Sequence, residues 1–419
     1  MNITLNPMSI SGEITAPPSK SYMHRALICA ALADGDTFIQ CSSFSEDIKA
    51  TMGCLKALGA KIEEETGGVR VFAIDKKAAA GELNCNESGT TLRFMLPLAS
   101  VLGKECTISG APRLGKRPLA PLCEELEKHG AVVKYGNNSF LPLYLSSKAE
   151  GGKYIIPGNI SSQFVSGLLL ALASTGEECE IVTTGKQVST PYIDLTLDMQ
   201  RSYGINIKKT EKGFIIDKGQ KYISPKRTVI EGDYSNGAFF LVAGAIAAKD
   251  YITVGGLFEN SRQGDSEIVD ILKRMGARIE RNKDKLKVYK SNLHQTVIDA
   301  ENIPDLVPIL CVAASFAEGE TIINNITRLR EKESDRVLST LALIRALGGD
   351  IEAEDNCIRV RRSALHGGTV DGFNDHRIVM SGAVASLCTD GSVTIEGSEA
   401  VTKSFPDFFE KFYSMGVKN

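Results

Sequence analysis

The chain has 419 residues, of which 43% are hydrophobic and 24% charged, and its formal net charge at pH 7 is −3. This length allows two or three domains, and the composition is that of an ordinary globular protein. The charge provides no basic surplus for binding nucleic acid or a membrane surface.

The N-terminal segment and the cysteines indicate where the protein is expected to reside. The opening MNITLNPMSISGEI lacks the basic and apolar regions of a signal peptide, and no apolar run reaches membrane-spanning length. The ten cysteines are scattered without a C-x-x-C pair, which argues against a zinc site or a disulfide framework. We therefore expect reduced thiols in a cytoplasmic protein without a metal.

Along the chain, one pattern recurs six times: an amphipathic helix, a glycine and a short strand-like run. The first copy is CLKALGAKIEEE and the last is KFYSMGVKN. A glycine directly after a helix typically adopts the left-handed C-cap conformation. The six glycines are separated by 68 to 74 residues: Gly59, Gly130, Gly204, Gly276, Gly348 and Gly416.

A second series of six lies out of phase with the first. Each copy has a helix rich in small residues, then a turn, then a strand with a central isoleucine. These isoleucines are separated by 69 to 73 residues: Ile39, Ile108, Ile181, Ile252, Ile322 and Ile395. Two series with the same period of about 71 residues predict a fold built from six repeated units.

Each predicted unit contains one almost wholly apolar helix and one amphipathic helix. An apolar helix must be buried on all sides, so we expect these helices inside, with sheets and amphipathic helices around them. Six units divide naturally as three plus three, and the segment KYISPKRTVIEGD (221–233) is the best candidate for the crossing. The sequence predicts two pseudo-symmetric α/β domains.

Polar residues concentrate at the predicted helix starts. Ser45, Asp233 and Asp265 are interpreted as N-caps. Cations are unfavourable at a helix start because of the macrodipole, so capping does not account for them there. Their recurrence in four of the six units predicts a shared ligand with more than one phosphate or carboxylate. The cations are Lys20, Arg25, Arg93, Arg113, Arg117, Lys332, Arg336, Arg377 and Lys403.

Acidic residues and a histidine lie among these cations: Asp305 in NIPDL, Glu333 in KESDR, and Asp375 with His376 in NDHR. Each also has a structural interpretation: a cap for Asp305 and Asp375, and an i,i+3 ion pair with Arg336 for Glu333. Together they provide groups for acid–base catalysis beside anion binders. The chain has no P-loop, no G-x-G-x-x-G, no G-x-S-x-G and no H-E-x-x-H.

These motifs resemble one family. PPSKSYMHRAL (17–27) resembles the PGSK-x-x-x-NRAL opening of the 5-enolpyruvylshikimate-3-phosphate (EPSP) synthase family, and the other matches follow in order as far as residue 410. They are SGTTLR, GAPRLGKRP, ISSQF, VSTPYIDLTL, NIPDL, REKESDR, NDHRIVM and TKSFPDFFE. The resemblance implies an inside-out α/β barrel of two globules, each with three βαβαββ-type units. We expect one domain at 14–225 and a discontinuous second one at 1–13 and 226–419.

The resemblance also implies a reaction. The 5-hydroxyl of shikimate 3-phosphate attacks C2 of phosphoenolpyruvate, and a tetrahedral intermediate then loses phosphate to give the enolpyruvyl ether. No metal or organic cofactor takes part. These two small molecules are the expected partners of a monomer, with no nucleic acid and no membrane involved.

The resemblance also implies site residues, position by position along the matching motifs. Asp305 is expected to be the base at the 5-hydroxyl, Glu333 and Lys20 are candidates for proton transfer at the enolpyruvyl carbon, and His376 assists. Shikimate 3-phosphate is expected to contact Lys20, Ser21, Arg25, Ser161, Ser162, Gln163, Ser189, Tyr192, Asp305 and Lys332. Phosphoenolpyruvate is expected to contact Lys20, Gly89, Arg117, Gln163, Arg336, Arg377 and Lys403.

Three positions depart from the family pattern: Glu87 and Arg328 stand where relatives usually have Asn, and Phe94 where they have Pro. Two alternatives stay open at this point. One is the sister enzyme that transfers enolpyruvate to UDP-N-acetylglucosamine, although Pro112 stands where that family typically has Cys. The other is a non-catalytic sensor of phosphorylated metabolites, which would have no use for Asp305 and Glu333.

Overall fold

A computed structural model describes residues 1–417 of the protein. Its strands are β1 (Asn2–Leu5), β2 (Ile10–Thr15), β3 (Thr37–Gln40), β4 (Ile62–Glu65), β5 (Gly68–Val71), β6 (Leu83–Asn84), β7 (Cys106–Ser109), β8 (Val132–Gly136), β9 (Ser139–Ser146), β10 (Lys153–Pro157), β11 (Cys179–Thr184), β12 (Ile207–Thr210), β13 (Gly213–Ile216), β14 (Arg227–Val229), β15 (Ala248–Gly255), β16 (Ile279–Asn282), β17 (Lys285–Tyr289), β18 (Val297–Asp299), β19 (Glu320–Asn324), β20 (Asp350–Ala353), β21 (Cys357–Arg361), β22 (Gly368–Asp371) and β23 (Val393–Glu396).

The helices alternate with these strands. They are α1 (Lys20–Leu32), α2 (Glu46–Ala57), α3 (Gly89–Val101), α4 (Ala120–Lys128), α5 (Ser162–Leu172), α6 (Thr190–Ser202), α7 (Tyr234–Ala247), α8 (Ile268–Arg274), α9 (Val307–Ser315), α10 (Arg336–Ala346), α11 (His376–Ala385) and α12 (Phe408–Ser414). Short 3-10 helices lie at Leu114–Lys116, Gly264–Glu267, Pro304–Leu306, Thr327–Glu331, Ser386–Cys388 and Ser398–Lys403. Of the helices in residues 1–417, none is long and apolar enough to cross a membrane.

The strands form six small sheets with one topology. In each four-stranded sheet, an edge strand runs parallel to a central strand, which pairs antiparallel with one strand of a hairpin. The orders are β14-β3-β5-β4, β6-β7-β9-β8, β10-β11-β13-β12, β2-β15-β17-β16, β18-β19-β21-β20 and, with three strands, β22-β23-β1. Six copies of one mixed sheet confirm the predicted repeat of βαβαββ-type units.

The chain divides into two compact lobes. Lobe N is Pro18–Ile230, and lobe C is Met1–Pro17 together with the chain from Glu231 onward. The borders between the lobes, at 17/18 and 230/231, lie four and five residues later in the chain than the predicted borders at 13/14 and 225/226. They lie there because β2 continues to Thr15 in a parallel pairing with β15, whereas β14 pairs with β3.

Each lobe has its own hydrophobic core, built on the apolar helices that the repeat predicts. In lobe C, all 14 residues of α7 are buried. In lobe N, α3 packs closely against α5 at Gly167, where a Cβ atom would lie 2.3 Å from the carbonyl oxygen of Arg93. Only glycine fits there, because a larger residue would push the two helices apart.

The two marker series are confirmed with one exception each. Five of the six series glycines have positive φ angles, between 76° and 104°. Gly416 does not, and it forms an isolated antiparallel bridge with Ile10 instead of capping a helix. In the fifth unit the buried strand residue is Ile323 rather than Ile322. Ile323 lies 71 residues after Ile252 and 72 before Ile395, so the period is more regular than the sequence indicated.

Candidate active site

Lys20 is the first residue of α1, and an acidic residue from the next helix compensates its charge. Its Nζ atom lies 2.7 Å from Oδ2 of Asp47, in the first turn of α2, and both side chains are less than one fifth exposed. Asp47 itself suits a helix start, because a carboxylate is favourable at the positive end of the macrodipole. The neighbouring helix therefore holds the cation that α1 alone would disfavour.

Arg25 is buried, with 2% exposure, and the structure surrounds it with neutral groups. It donates to Thr196 Oγ1 at 2.7 Å, to the Ser21 carbonyl at 2.7 Å and to the Tyr192 carbonyl at 2.8 Å. No carboxylate within residues 1–417 pairs with it. Burial lowers the pKa of Arg25 to about 10, so the guanidinium keeps its charge at neutral pH. A buried cation without an acidic partner is suited to an anionic ligand.

Phe94, one of the three departures from the family pattern, contacts this cation. The guanidinium carbon of Arg25 lies 5.1 Å from the centre of the buried Phe94 ring. This is within the range of a cation–π interaction. The aromatic ring therefore supports Arg25 from within lobe N.

Gly89 begins α3 directly beside Arg117. A Cβ atom at this position would lie 2.5 Å from Nη1 of Arg117 and 2.9 Å from its guanidinium carbon. The absence of a side chain lets the guanidinium approach the helix start, where unpaired N–H groups favour anions. These two predicted residues therefore lie together.

Gln163 links the starts of α3 and α5. Its amide oxygen accepts a hydrogen bond from Arg93 at 2.6 Å, and its amide nitrogen donates to Thr90 Oγ1 at 2.8 Å. Ser161 is the N-cap of α5, and its hydroxyl accepts from the Gln163 backbone at 3.3 Å. The buried Ser162 follows as the first helical residue.

Ser189 caps α6 in the left-handed conformation, with φ of 50°. Its side chain is buried, and its carbonyl accepts a hydrogen bond from the Tyr192 backbone at 3.1 Å. Since the Tyr192 carbonyl in turn accepts from Arg25, the start of α6 lies beside α1. Lobe N thus brings together the predicted residues at the starts of α1, α3, α5 and α6 with Arg117.

In lobe C, Asp305 is the centre of a cluster of cations. Its Oδ1 lies 2.7 Å from Arg336 Nη1 and 3.3 Å from Lys332 Nζ, and its Oδ2 lies 3.1 Å from Arg377 Nη2. A second nitrogen of Arg377 donates to the Asp305 carbonyl at 3.2 Å. Asp305 is the middle residue of the 3-10 helix Pro304–Leu306, and the N-cap positions there and at α9 belong to Ile303 and Leu306, so its interpretation as an N-cap is wrong.

Arg336 is 1% exposed and contacts three carboxylates. Besides Asp305, it pairs with Glu333 at 2.5 Å and with Asp375 Oδ2, through Nε, at 2.8 Å. Burial alone would lower the pKa of Arg336, but Asp375, Glu333 and Asp305 outweigh it and raise the pKa above its usual value. The predicted i,i+3 ion pair between Glu333 and Arg336 is confirmed.

Asp375 is fully buried and has two roles. It caps α11 by accepting from the Arg377 backbone at 3.0 Å, as predicted, and it pairs with Arg336. Ser334 also donates to it at 2.9 Å. Burial alone would raise the pKa of Asp375, but Arg336 and His376 outweigh it and lower the pKa below its usual value.

The remaining predicted residues of lobe C lie around this group. Burial lowers the pKa of Lys332, with Asp305 opposing and Arg336 adding to the effect. His376 is 2% exposed, and its Nδ1 lies 4.0 Å from Oδ1 of Asp375. Lys403 donates from Nζ to the Asn374 carbonyl at 2.7 Å, which attaches it to the turn before α11.

Of the three residues interpreted as simple caps, Asp233 and Ser45 stand at the N-cap positions of α7 and α2, and Asp233 accepts from the Asn236 backbone at 2.9 Å. The Ser45 hydroxyl makes no cap hydrogen bond. Asp265 lies inside a 3-10 helix and accepts from the Ser235 hydroxyl instead. Burial, with Asp305 close by, raises the pKa of Asp265 from 3.8 to about 7.

Sequence reasoning therefore missed Asp265, and it also missed Asp47, which pairs with Lys20. Both stand at predicted helix starts, Asp47 in SED (45–47) and Asp265 in QGD (263–265). An acidic residue at a helix start is also typical of simple capping, so the sequence could not distinguish the two roles. Within residues 1–417, no group of three or more His, Cys, Asp or Glu residues is arranged to hold a metal ion.

Two lobes of three repeated α/β units, with cations and carboxylates at the helix starts, define the enolpyruvyl transferase class. The family model described as EPSP synthase (3-phosphoshikimate 1-carboxyvinyltransferase) matches residues 5–412. The chain belongs to the EPSP synthase family. This confirms the predicted family, fold and enzyme class, and it favours them over the UDP-N-acetylglucosamine enzyme.

Similar proteins include two named 3-phosphoshikimate 1-carboxyvinyltransferase. That of Clostridium novyi is 39% identical over 99% of this chain and 97% of its own, and that of Methanocorpusculum labreanum is 35% identical over 100% and 99%. Among solved structures, an EPSP synthase from Acinetobacter baumannii has a TM-score of 0.84 at 27% identity, covering 100% of this chain and 98% of its own. The enolpyruvyl transferase NikO from Streptomyces tendae shares the fold. Its TM-score is 0.78 at 17% identity, and the match covers 98% of this chain and 96% of its own.

Proposed function

We propose that this protein transfers the enolpyruvyl group of phosphoenolpyruvate to the 5-hydroxyl of shikimate 3-phosphate and releases phosphate. The observation that carries the proposal is the Asp305 carboxylate held by Lys332, Arg336 and Arg377. A sensor would need the cations alone, whereas catalysis also needs a base among them. Membership of the family supports the same two substrates, because the relatives of this chain are named for this reaction.

The chemistry assigns a proton transfer to each reacting end. Removing the proton of the 5-hydroxyl makes its oxygen a nucleophile, and Asp305 is the proposed base. Protonation of C3 of phosphoenolpyruvate makes C2 electrophilic, and Glu333 and Lys20 are the proposed groups there, with His376 assisting. The new C–O bond forms at C2, and the C–O bond to phosphate then breaks as a proton leaves C3.

The binding roles follow the charges. Arg336 and Arg377 suit the carboxylate of phosphoenolpyruvate because a guanidinium donates two parallel hydrogen bonds. Arg117, Lys403 and Lys20 add positive charge for its phosphate, and Gly89 and Gln163 complete the proposed contacts.

For shikimate 3-phosphate, the proposed phosphate contacts are Ser161, Ser162 and Ser189, which lie at two helix starts. Arg25 and Lys332 supply charge. Ser21, Tyr192, Gln163, Lys20 and Asp305 complete the set proposed around this substrate.

We also propose that lobes N and C are the two domains of the family. Strand exchange supports this, because β1 and β2 belong to lobe C although the chain then continues into lobe N. The monomeric state and the cytoplasmic location stay predictions.

The decisive experiment mixes the protein with both substrates and follows phosphate release, while mass spectrometry identifies the enolpyruvyl ether. Reactions lacking one substrate control for simple hydrolysis of phosphoenolpyruvate. Release only with UDP-N-acetylglucosamine would identify the sister activity. Calorimetric binding of both substrates without turnover would identify a sensor.

A further inference from the structure

His24 lies one helical turn after Lys20 in α1 and has no part in the roles proposed above. It is 1% exposed, and its Nδ1 atom lies 2.7 Å from Thr51 Oγ1. Its Nε2 atom is buried and has no hydrogen-bond partner within the described chain. The family motif quoted above has Asn at this position, so the histidine distinguishes this chain from the pattern.

A chain of buried hydroxyls continues from this histidine across two further helices. Thr51 of α2 contacts Thr91 of α3 with 2.7 Å between their hydroxyl oxygens. Thr91 donates to the hydroxyl of Ser88, also at 2.7 Å. All of these side chains are at most 1% exposed, so water does not compete for the hydrogen bonds.

The proton count along this chain determines the histidine tautomer. The single hydroxyl proton of Thr91 goes to Ser88 or to the Asp47 carbonyl, and in either case the Thr51 hydroxyl must donate to Thr91. Thr51 can then only accept from His24, and Nδ1 must carry the proton. Nε2 is therefore a bare lone pair.

Electrostatics also favour a neutral ring. Burial lowers the pKa of His24 well below its usual value, and the charges of Lys20 and Arg25 on the same helix add to the effect. Protonation of Nε2 would place a third cation beside these two. The neutral Nδ1–H form is thus consistent with both the hydrogen bonds and the charges.

The hydroxyl chain ends beside two residues that are proposed to bind phosphoenolpyruvate, Gly89 and Lys20. Ser88 is the N-cap of α3 and accepts from the Thr91 backbone at 3.2 Å, directly before Gly89. Thr91 also lies 3.4 Å from the carbonyl of Asp47, the residue whose carboxylate holds Lys20. A shift of Thr91 would therefore affect Gly89 and Asp47 together.

We propose that His24, as the neutral Nδ1–H tautomer, is a positioning residue that aligns Gly89 and Lys20 through Thr51 and Thr91. This inference rests on the proposed function, since it assigns these groups to phosphoenolpyruvate. An Asn at this position also carries a hydrogen-bond donor, its side-chain amide nitrogen, where His24 has Nδ1. The Asn of the family pattern and the His24 of this chain can therefore both donate to the Thr51 hydroxyl.

Kinetics of matched variants test the proposal. Thr51→Val and His24→Ala interrupt the chain, and we expect the KM for phosphoenolpyruvate to rise about 3- to 10-fold, the size of one lost hydrogen bond. The KM for shikimate 3-phosphate should stay within about twofold. His24→Asn should restore the KM for phosphoenolpyruvate to within about twofold of the original protein.

Thr37→Val is the matched control. Thr37 is equally buried in lobe N, but it lies in strand β3, and its hydroxyl contacts that of Ser224 at 2.8 Å, outside the chain of hydroxyls that starts at His24. It should lower the melting temperature as Thr51→Val does, yet leave both KM values unchanged. Three results would overturn the proposal. They are the same kinetics for Thr51→Val and Thr37→Val, equal rises in the KM values for both substrates, or a KM for phosphoenolpyruvate that is no lower in His24→Asn than in His24→Ala.

The tautomer of His24 can be measured by NMR, without an activity assay. In protein with ¹⁵N-labelled histidine, two-bond ¹H–¹⁵N correlations at pH 7 should show the His24 ring protonated at Nδ1 and bare at Nε2, with the His24→Asn spectrum providing the assignment. A ring protonated at Nε2 would overturn the proposal even if the variants failed to fold. If the protein lacked the proposed activity, this measurement would still report on the hydroxyl chain, so the two failures are distinguishable.

Discussion

Nη1 of Arg336 donates to Oδ1 of Asp305 over 2.7 Å, so a buried guanidinium lies directly on the carboxylate proposed as the base. The same arginine contacts Glu333 and Asp375. One cation therefore connects the proposed base, a proposed proton donor and the cap of α11. Changes to any of these three acids should affect the other two through Arg336.

Replacing Asp305 by Asn should remove the base but keep the shape of the side chain. We expect kcat to fall by at least about 100-fold, because an amide cannot accept the hydroxyl proton. Initial rates at varied concentrations of both substrates would measure this. Asp299→Asn, an exposed change in the same lobe, should leave both constants unchanged. A rise in KM with little loss of kcat would reduce Asp305 to a positioning role.

Gly89→Ala should weaken the binding of phosphoenolpyruvate. The added Cβ atom would lie 2.5 Å from Arg117 Nη1, so the guanidinium must move, and we expect the KM for phosphoenolpyruvate to rise about 10-fold or more, as for one lost charged hydrogen bond. Gly53→Ala is the control, because nothing lies within 4 Å of its added Cβ. That change should stabilise α2 by about 0.5–1 kcal/mol without changing either KM. Unchanged kinetics for Gly89→Ala would show that Arg117 does not act in binding.

Asp375→Asn should destabilise lobe C in a pH-dependent way. At pH 7 we expect a loss of about 3 kcal/mol in the free energy of unfolding, because the buried Arg336 loses a partner. The pKa of Asp375 is lowered in the folded protein, so its contribution is present above the usual pKa of about 4 and disappears as the pH falls below it. Urea unfolding at pH 7 and at about pH 3 would compare the two proteins. A difference that did not shrink in acid would contradict the ion pair.

Asp265→Asn should have the opposite pH dependence. The pKa of Asp265 is raised from 3.8 to about 7, so the unfolded chain ionises before the folded one, and the folded state loses stability as the pH rises from about 4 to 7. The variant lacks this loss. Its free energy of unfolding, relative to the original protein, should therefore increase by up to about 1.4 kcal/mol per pH unit in this window. A flat difference across the window would show that Asp265 ionises normally.

The repeat, the apolar helices and the family could be predicted from the sequence because their signals are local. A glycine cap, an apolar run and an alternating strand each occupy a few neighbouring residues, and the motifs that resemble the family are continuous. The cap on α7 at Asp233 and the ion pair between Glu333 and Arg336 were predictable for the same reason, since their partners lie three residues apart.

Local sequence patterns were therefore sufficient to predict the architecture, the family and the residue types at the helix starts. The partners of these residues could be read only from the folded chain: Asp47 for Lys20, Thr196 for Arg25, and Thr51 for His24. Arg25 and Thr196 are 171 residues apart, and no local pattern relates them. Hydrogen bonds and ion pairs depend on distances of about 3 Å that exist only once the repeats have packed, and burial then decides which of these charges keep their usual pKa.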